Sequence, residues 1–433
     1  MTQTRPRRRP LTHQEKLALQ ERKQRRREKM EESRELAKGP IDLTFCLLVM
    51  LLMAIGLVIL LSASFPFAYY KENPSRHNPL YYFERQAVFA VLGTAVMLLV
   101  SKFNYQRLRG AGRALIYVSV IFLILVIIPH NPIAVTAKGA TRWLKIGVQF
   151  QPSEIAKICY IFAGSATLER LFRRRNLALF IVLTGVCIGL LGLMSDFGTA
   201  AIFFVTFLVI AYLRSGDAAT LALICGGAAF GAGIIVQFKP YILSRFAAWG
   251  HAWEAASGSG YQQTRTMSAA ASGGLFGMGA GNGWLERIPA GDTDLVFGML
   301  CEEWGLVIAL LAVACILTLA WFAVRASRTG RSSFYTIAAC AAGSLLVFQT
   351  SLNVFGSVDL LPLTGVTFPF VSNGGSAMLS AWGLLAYLKA MDTRADASFA
   401  IGRAAERKLD EEAARMAAPA EDAFEKEDGH AED

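Results

Sequence analysis

Apolar residues in this chain come in blocks about as long as a helix that crosses a bilayer, and that spacing limits the fold more than any other feature. The blocks fall at 41–64, 84–102, 112–130, 153–172, 177–195, 197–214, 219–238, 295–324, 333–356 and 374–392. Roughly 20 residues of α-helix cover the ~30 Å hydrocarbon core. Backbone amides find no water there, so each block has to satisfy itself as a helix. Composition agrees: 54% of the 433 residues are hydrophobic and 18% charged, against about a quarter charged in a soluble domain. The reading is an all-α polytopic integral membrane protein of about ten transmembrane helices. Gly56, Gly189 and Gly198 lie within or at the ends of blocks and read as contacts where helices pack closely.

Charge sets the orientation. The net charge is +10, and residues 1–39 hold thirteen Lys and Arg against six Glu. A nucleic-acid-binding arm would carry a similar run. The apolar block that follows directly favours instead a cytoplasmic tail resting on anionic headgroups. With the N-terminus inside, the inner loops hold Arg107, Arg109, Arg173, Arg174, Arg175, Arg325 and Arg328, and the C-terminal tail starts with Lys389 and Arg394, as the positive-inside rule requires. The organisation read is a basic cytoplasmic tail (1–40), a membrane domain (41–392) and a cytoplasmic C-terminal tail (393–433). Seven cysteines, without a C-x-x-C pair, sit in or at the ends of apolar blocks, and five histidines are scattered. They read as small buried hydrophobes and no zinc site.

The same orientation places stretches 65–83, 131–152, 239–294 and 357–373 outside as loops. Arg142, Lys145, Arg245, Arg265 and Arg287 stand there against the charge bias. They are either tolerated exceptions or contacts for an anionic ligand. The large extracytoplasmic loop between helices 7 and 8, residues 239–294, is rich in Gly, Trp and Phe. Its apolar pieces Phe246–Trp253 and Met267–Phe276 are expected to be helices lying in the membrane interface. At its end Asp294 sits where the chain re-enters the membrane. A carboxylate there is partly desolvated and suited to act as a base, or it caps the helix that follows. Glu286 stands eight residues earlier, and Glu302 and Glu303 lie inside the next block, where charge is functional or paired. Gln151-Pro152-Ser153-Glu154 reads as a helix start, with Glu154 and Lys157 able to pair on one face. Pro and Gly between Leu361 and Ser376 exclude a continuous helix, so the segment has to be packed in protein or line a wet cavity.

Taken in order, these residues resemble the SEDS family, which comprises FtsW, RodA and related sporulation proteins. The marks are Ser62-Ala63-Ser64, Phe83-Glu84-Arg85-Gln86, Gly139–Leu144, Gln151–Lys157, Asp196-Phe197-Gly198-Thr199, Gly258–Gln262, Ser272–Leu275, Thr293-Asp294 and Pro369–Ser376. The resemblance implies a peptidoglycan glycosyltransferase that polymerises lipid II at the outer face of the cytoplasmic membrane and supports septal wall synthesis in division. It makes Asp294 the essential catalytic aspartate and Glu286 a second acidic position that orients it or shares a divalent cation, Mg2+ or Mn2+, with it. Arg142, Trp143, Lys157, Arg245, Gln262, Ser372 and Gly374 are the expected substrate contacts. The implied partners are lipid II itself, a class B penicillin-binding transpeptidase and divisome or elongasome proteins, with no nucleic acid. Two departures stand out: Asp292 precedes Thr293 where the family often has His, and Thr364 replaces the Lys of some FtsW proteins, which leaves more of the diphosphate to Arg142, Arg245 or Arg265. Other readings are a flippase for lipid-linked precursors, a scaffold that only recruits the transpeptidase, and a RodA-like elongation or sporulation polymerase.

Overall fold

The computed structural model describes residues 47–58, 80–101, 112–128, 131–169, 174–215, 249–329 and 333–392, apart from single positions within these stretches, and isolated residues besides. Both tails, Cys46, Arg245 and most of the 219–238 block lie outside the described residues. The other blocks appear as helices: α1 (Val49–Val58), α2 (Tyr81–Ser101), α3 (Gly112–Ile127), α4 (Pro152–Glu169), α5 (Arg174–Leu193), α6 (Phe197–Ser215), α8 (Val296–Thr329), α9 (Ser333–Ser357) and α10 (Gly375–Asp392). Among the described residues, segments Tyr81–Leu99, Val296–Arg325 and Phe334–Ser357 are long and apolar enough to cross a membrane. Val88, Val91, Leu99, Val182 and Leu310 face outward. In water such a coat would be a liability; against hydrocarbon it is the natural surface.

Helix α4 packs against α3, α5, α6 and α9. Pro152 opens it, where a missing amide hydrogen costs nothing. Apolar surface gains little by leaving lipid, so polar bonds and close contacts have to hold the helices together. Tyr160 stacks on Phe180 and donates to or accepts from Thr184 at 2.8 Å. Ser380 and Tyr387 of α10 donate to the Glu154 and Ile158 carbonyls. Gly93 of α2 lies directly against the Trp382 ring, leaving no room for a side chain. Two of the three glycines expected at packing contacts are in tight ones, Gly56 against Phe370 and Gly198 against Val366 and Thr364; Gly189 faces open space.

The fold is not purely helical. Residues 131–152, expected as loop, carry a three-stranded antiparallel sheet of β1 (Ala134–Ala137), β2 (Ala140–Ile146) and β3 (Val148–Phe150) in the order β1-β2-β3. Val135 lies opposite Trp143, and Leu144 opposite Phe150. Short runs of Val, Thr, Ile and Trp broken by Gly139 and Gly147 are a hairpin signal. Leu144 is fully buried, which anchors the sheet and with it the neighbouring Arg142.

The large loop also differs from expectation. Residues 249–250 and 252–260 are turns; helix α7 runs from Tyr261 to Gly273. The Asp359 carboxylate accepts from the amides of Gly250 and Ala252, which favours turns over an interfacial helix there. Helix α7 docks on α8 through a buried face of Gln263, Thr264, Thr266, Ala269 and Gly273, so its polar side points inward. Leu275 and Phe276, beyond its end, are exposed.

Helix α8 is interrupted within its apolar block, just after Glu302 and Glu303. Gly305 has φ 83° and ψ 167°. The segment after α7 fills the gap: the Met278 and Gly279 amides donate to the Glu302 and Glu303 carbonyls, and the Leu306 and Val307 amides donate to those of Gly274 and Leu275. These four bonds replace bonds the break removes, which is the condition for non-helical backbone at membrane depth. A Cβ on Gly305 would overlap the Leu275 carbonyl. Gly305→Ala should therefore lower stability by about 2 kcal/mol or more. The thermal midpoint in detergent checks this; an unchanged midpoint would mean the break is not held by this contact.

Candidate active site

The loop that ends the large connection is wound tightly before α8. A single 3-10 turn (Leu285–Arg287) leads into Ala290, a non-glycine residue at φ 71°, and the amides of Thr293 and Leu295 both donate to its carbonyl. This turn presents Asp294, half-buried, two residues before the helix begins.

Across from it runs the Pro- and Gly-rich stretch 358–374, without helix or strand. Side chains from three helices fix it. Gln86 of α2 donates to the Ser372 carbonyl at 3.1 Å and accepts from the Gly374 amide at 3.4 Å. Gln349 of α9 donates to the Thr367 carbonyl at 2.9 Å. Lys157 of α4 donates to Gln349 at 3.0 Å and pairs with Glu154 at 2.8 Å. Buried charges are stable only when paired and bonded in this way.

The two turns are also joined to each other. The Ser372 hydroxyl accepts from the Phe368 amide and donates to the Thr293 carbonyl at 2.7 Å. The Asn373 amide donates to the Asp292 carbonyl at 2.9 Å, and its side chain donates to the Asp292 carboxylate at 2.9 Å. Asn353 donates to the Asp294 carbonyl at 2.9 Å and to the Val366 carbonyl at 2.8 Å.

Arg142 reaches this junction from β2. Its Nη2 donates to the Ser195 carbonyl, and Nη1 lies 3.9 Å from the Asp196 carboxylate. Asp196 in turn accepts from Gln151 at 3.1 Å and Ser153 at 3.3 Å. Gly365 marks where the partners meet: a Cβ placed there would stand 3.3 Å from Asp294 Oδ2 and 3.8 Å from Arg142 Nη1. Its φ of 74° suits glycine as well. A carboxylate and a guanidinium thus converge over a bare stretch of backbone, with the Arg142 side chain 17% exposed.

The remaining expected site residues fall into distinct places. Ser372 is buried, and its hydroxyl is engaged by the backbone; Lys157 is buried beneath the turn. Both support the site from inside. Gln262 donates to the Pro289 carbonyl at 2.7 Å, at the start of the Asp294 turn. Trp143 is half-buried beside Arg142 on the sheet, and the Gly374 amide donates to Gln86. Glu286 belongs to a buried acidic group. Burial first, then the charges of Glu303 and Glu302, push its carboxyl up to about 7 against the pull of Arg287. One of its oxygens is buried without a hydrogen bond. Glu302 is already satisfied, accepting the Trp284 and Leu285 amides at 2.9 and 3.0 Å. Among the described residues, no three His, Cys, Asp or Glu side chains gather closely enough to hold a metal ion.

Sequence reading missed Gln86 as a clamp, and Gln349 and Asn353 altogether. Amides inside the apolar α9 block were the available signal, since polar side chains at membrane depth are seldom idle.

The sequence profile of a family described as cell cycle protein, FtsW/RodA/SpoVE, matches residues 42–396. The chain is 32% identical to a probable peptidoglycan glycosyltransferase FtsW of Thioalkalivibrio sulfidiphilus, with 80% of this chain and 88% of that one covered. It is 29% identical to stage V sporulation protein E of Bacillus subtilis, over 79% and 95%. A solved peptidoglycan synthase complex, described as coordinating polymerization and crosslinking, aligns with TM-score 0.66 at 25% identity over 81% of this chain and 97% of that one. The rod shape determining protein RodA of Thermus thermophilus shares the fold, with TM-score 0.58 at 23% identity over 81% and 96%.

A carboxyl whose folded value is about 7 against an ordinary 4.5 holds its proton more tightly in the folded state. Its contribution to stability is full below pH 4.5 and is lost as the pH rises through 7. Glu286→Gln should remove that part of the pH dependence and make the protein more stable than wild type above neutrality. Thermal midpoints across this range measure it; parallel curves for the two proteins would contradict the assignment.

Proposed function

The chain belongs to the FtsW/RodA/SpoVE family of cell cycle proteins, and on that premise we propose that it is a peptidoglycan glycosyltransferase that polymerises lipid II, with Asp294 as its base. The observation that carries the reading is the convergence of Asp294 and Arg142 at Gly365. A sugar hydroxyl is a poor nucleophile near neutral pH, and a placed carboxylate can take its proton as it attacks. The 4-hydroxyl of the acceptor lipid II loses its proton to Asp294. Its oxygen bonds to the anomeric carbon of the donor glycan as the bond from that carbon to the diphosphate oxygen breaks. The electron pair leaves on the undecaprenyl diphosphate, and the configuration at the anomeric carbon inverts. Arg142, whose Nη2 donates to the Ser195 carbonyl, faces the growing negative charge with the exposed part of its guanidinium. A preset cation aimed where charge develops stabilises the transition state more than the ground state.

Ser372, Lys157 and Gln262 act by holding the two turns, and Trp143 stands beside Arg142 on the sheet. The site faces the outer leaflet of the cytoplasmic membrane, with both chain ends in the cytoplasm. The many FtsW relatives favour a role in septal synthesis. The complex that aligns with this chain supports a transpeptidase partner of the class B penicillin-binding type. Transport of the lipid precursor would call for polar groups open along the membrane depth. Glu154 and Lys157, which lie deeper in the bundle, are buried and bonded to each other.

Purified protein with labelled lipid II tests the assignment. Asp294→Asn should lose roughly 100-fold or more of the polymerisation rate, the usual contribution of a general base, while still folding. Arg142→Ala should also polymerise slowly. Full activity of Asp294→Asn would defeat the proposal.

A further inference from the structure

We infer that Asn353 is a positioning residue for the transfer reaction, the side chain that sets the Asp294 carboxylate against the turn carrying Gly365. It is 1% exposed, in the last turns of α9. Its Nδ2 donates to the carbonyl of Asp294 itself and to that of Val366, the residue after Gly365. A primary amide nitrogen has two hydrogens, and here each goes to a different turn.

Two features make this more than a structural bond. First, neither turn belongs to a helix or a strand pair, so no ladder fixes the separation between them. The direction of the Asp294 carbonyl is fixed by the rotation about its own Cα–C bond, next to the bond that aims its side chain. Holding that carbonyl fixes the backbone from which the carboxylate projects. Second, Asn353 Oδ1 is buried without a partner. The amide orientation is therefore set entirely from its nitrogen side; a flipped amide would press an oxygen against two carbonyl oxygens. Gln349, one helical turn earlier, holds Thr367 of the second turn. Asn353 spans both, so its loss should change the distance across the site.

This inference rests on Asp294 being the base. Asn353→Leu keeps a similar volume and removes both donors; Asn353→Ser keeps one hydroxyl donor. Displacing a reacting group by about 1 Å can cost roughly 100-fold. Asn353→Leu should accordingly lower kcat for lipid II polymerisation by roughly tenfold to 100-fold, with KM changed by less than about twofold. Asn353→Ser should recover part of the rate. Ser351→Ala, on the same helix with its hydroxyl bonded inside it, should keep wild-type kinetics. A folded Asn353→Leu protein with wild-type kcat, or a loss confined to KM, would overturn the inference. Asp294→Asn measured in parallel separates the two ideas: if it polymerises normally the assignment of the base has failed, whereas an inactive Asp294→Asn beside a normal Asn353→Leu defeats only the role of Asn353.

Discussion

Backbone carbonyls and amides that leave a helix beside hydrocarbon have to find partners within the protein, and this requirement shapes the site. An unsatisfied polar group there costs several kcal/mol. The chain leaves helical geometry before α8, inside α8 at Gly305 and between α9 and α10. Each departure is met by another. The Gly274–Gly279 segment completes the break in α8. The turn before α8 and the turn before α10 complete each other through Ser372, Asn373 and Asn353. The turn carrying Asp294 is thus built from groups that satisfy one another.

That interlock explains why so many polar residues of the membrane domain are scaffolding. Lys157, Glu154, Gln349 and Gln86 are buried and bonded. Together they hold a turn that has no secondary structure of its own. Asp294 and Arg142 converge at Gly365, where the backbone carries no side chain. Placement of a few charged groups on rigid supports is how a preorganised site lowers a barrier.

Much of this was legible in the sequence. The length of the apolar blocks gave the helices, and the Pro-Gly density between Leu361 and Ser376 required a packed turn. The Glu154–Lys157 pair followed from spacing on a helical face. Asp294 and Arg142 were named separately, Asp294 because it sits where the chain re-enters the membrane and Arg142 because it breaks the charge bias. What could not be read was which distant groups meet. The break at Gly305 lies within an apolar block and exists because a loop from elsewhere supplies its bonds. Ser372 looked like a substrate contact because its motif does; only its buried direction reveals a structural role. The sheet carrying Arg142 was passed over because its strands are short and its glycines also signal a loop.

The central claim is that the turns before α8 and α10 behave as one body. Hydrogen exchange in lipid nanodiscs reads it at the amides of Leu295, Phe368 and Asn373, all bonded within or between the turns. The account predicts slow exchange at a common rate, and faster exchange at all three in Ser372→Ala. Independent rates, or a response confined to Phe368, would contradict it.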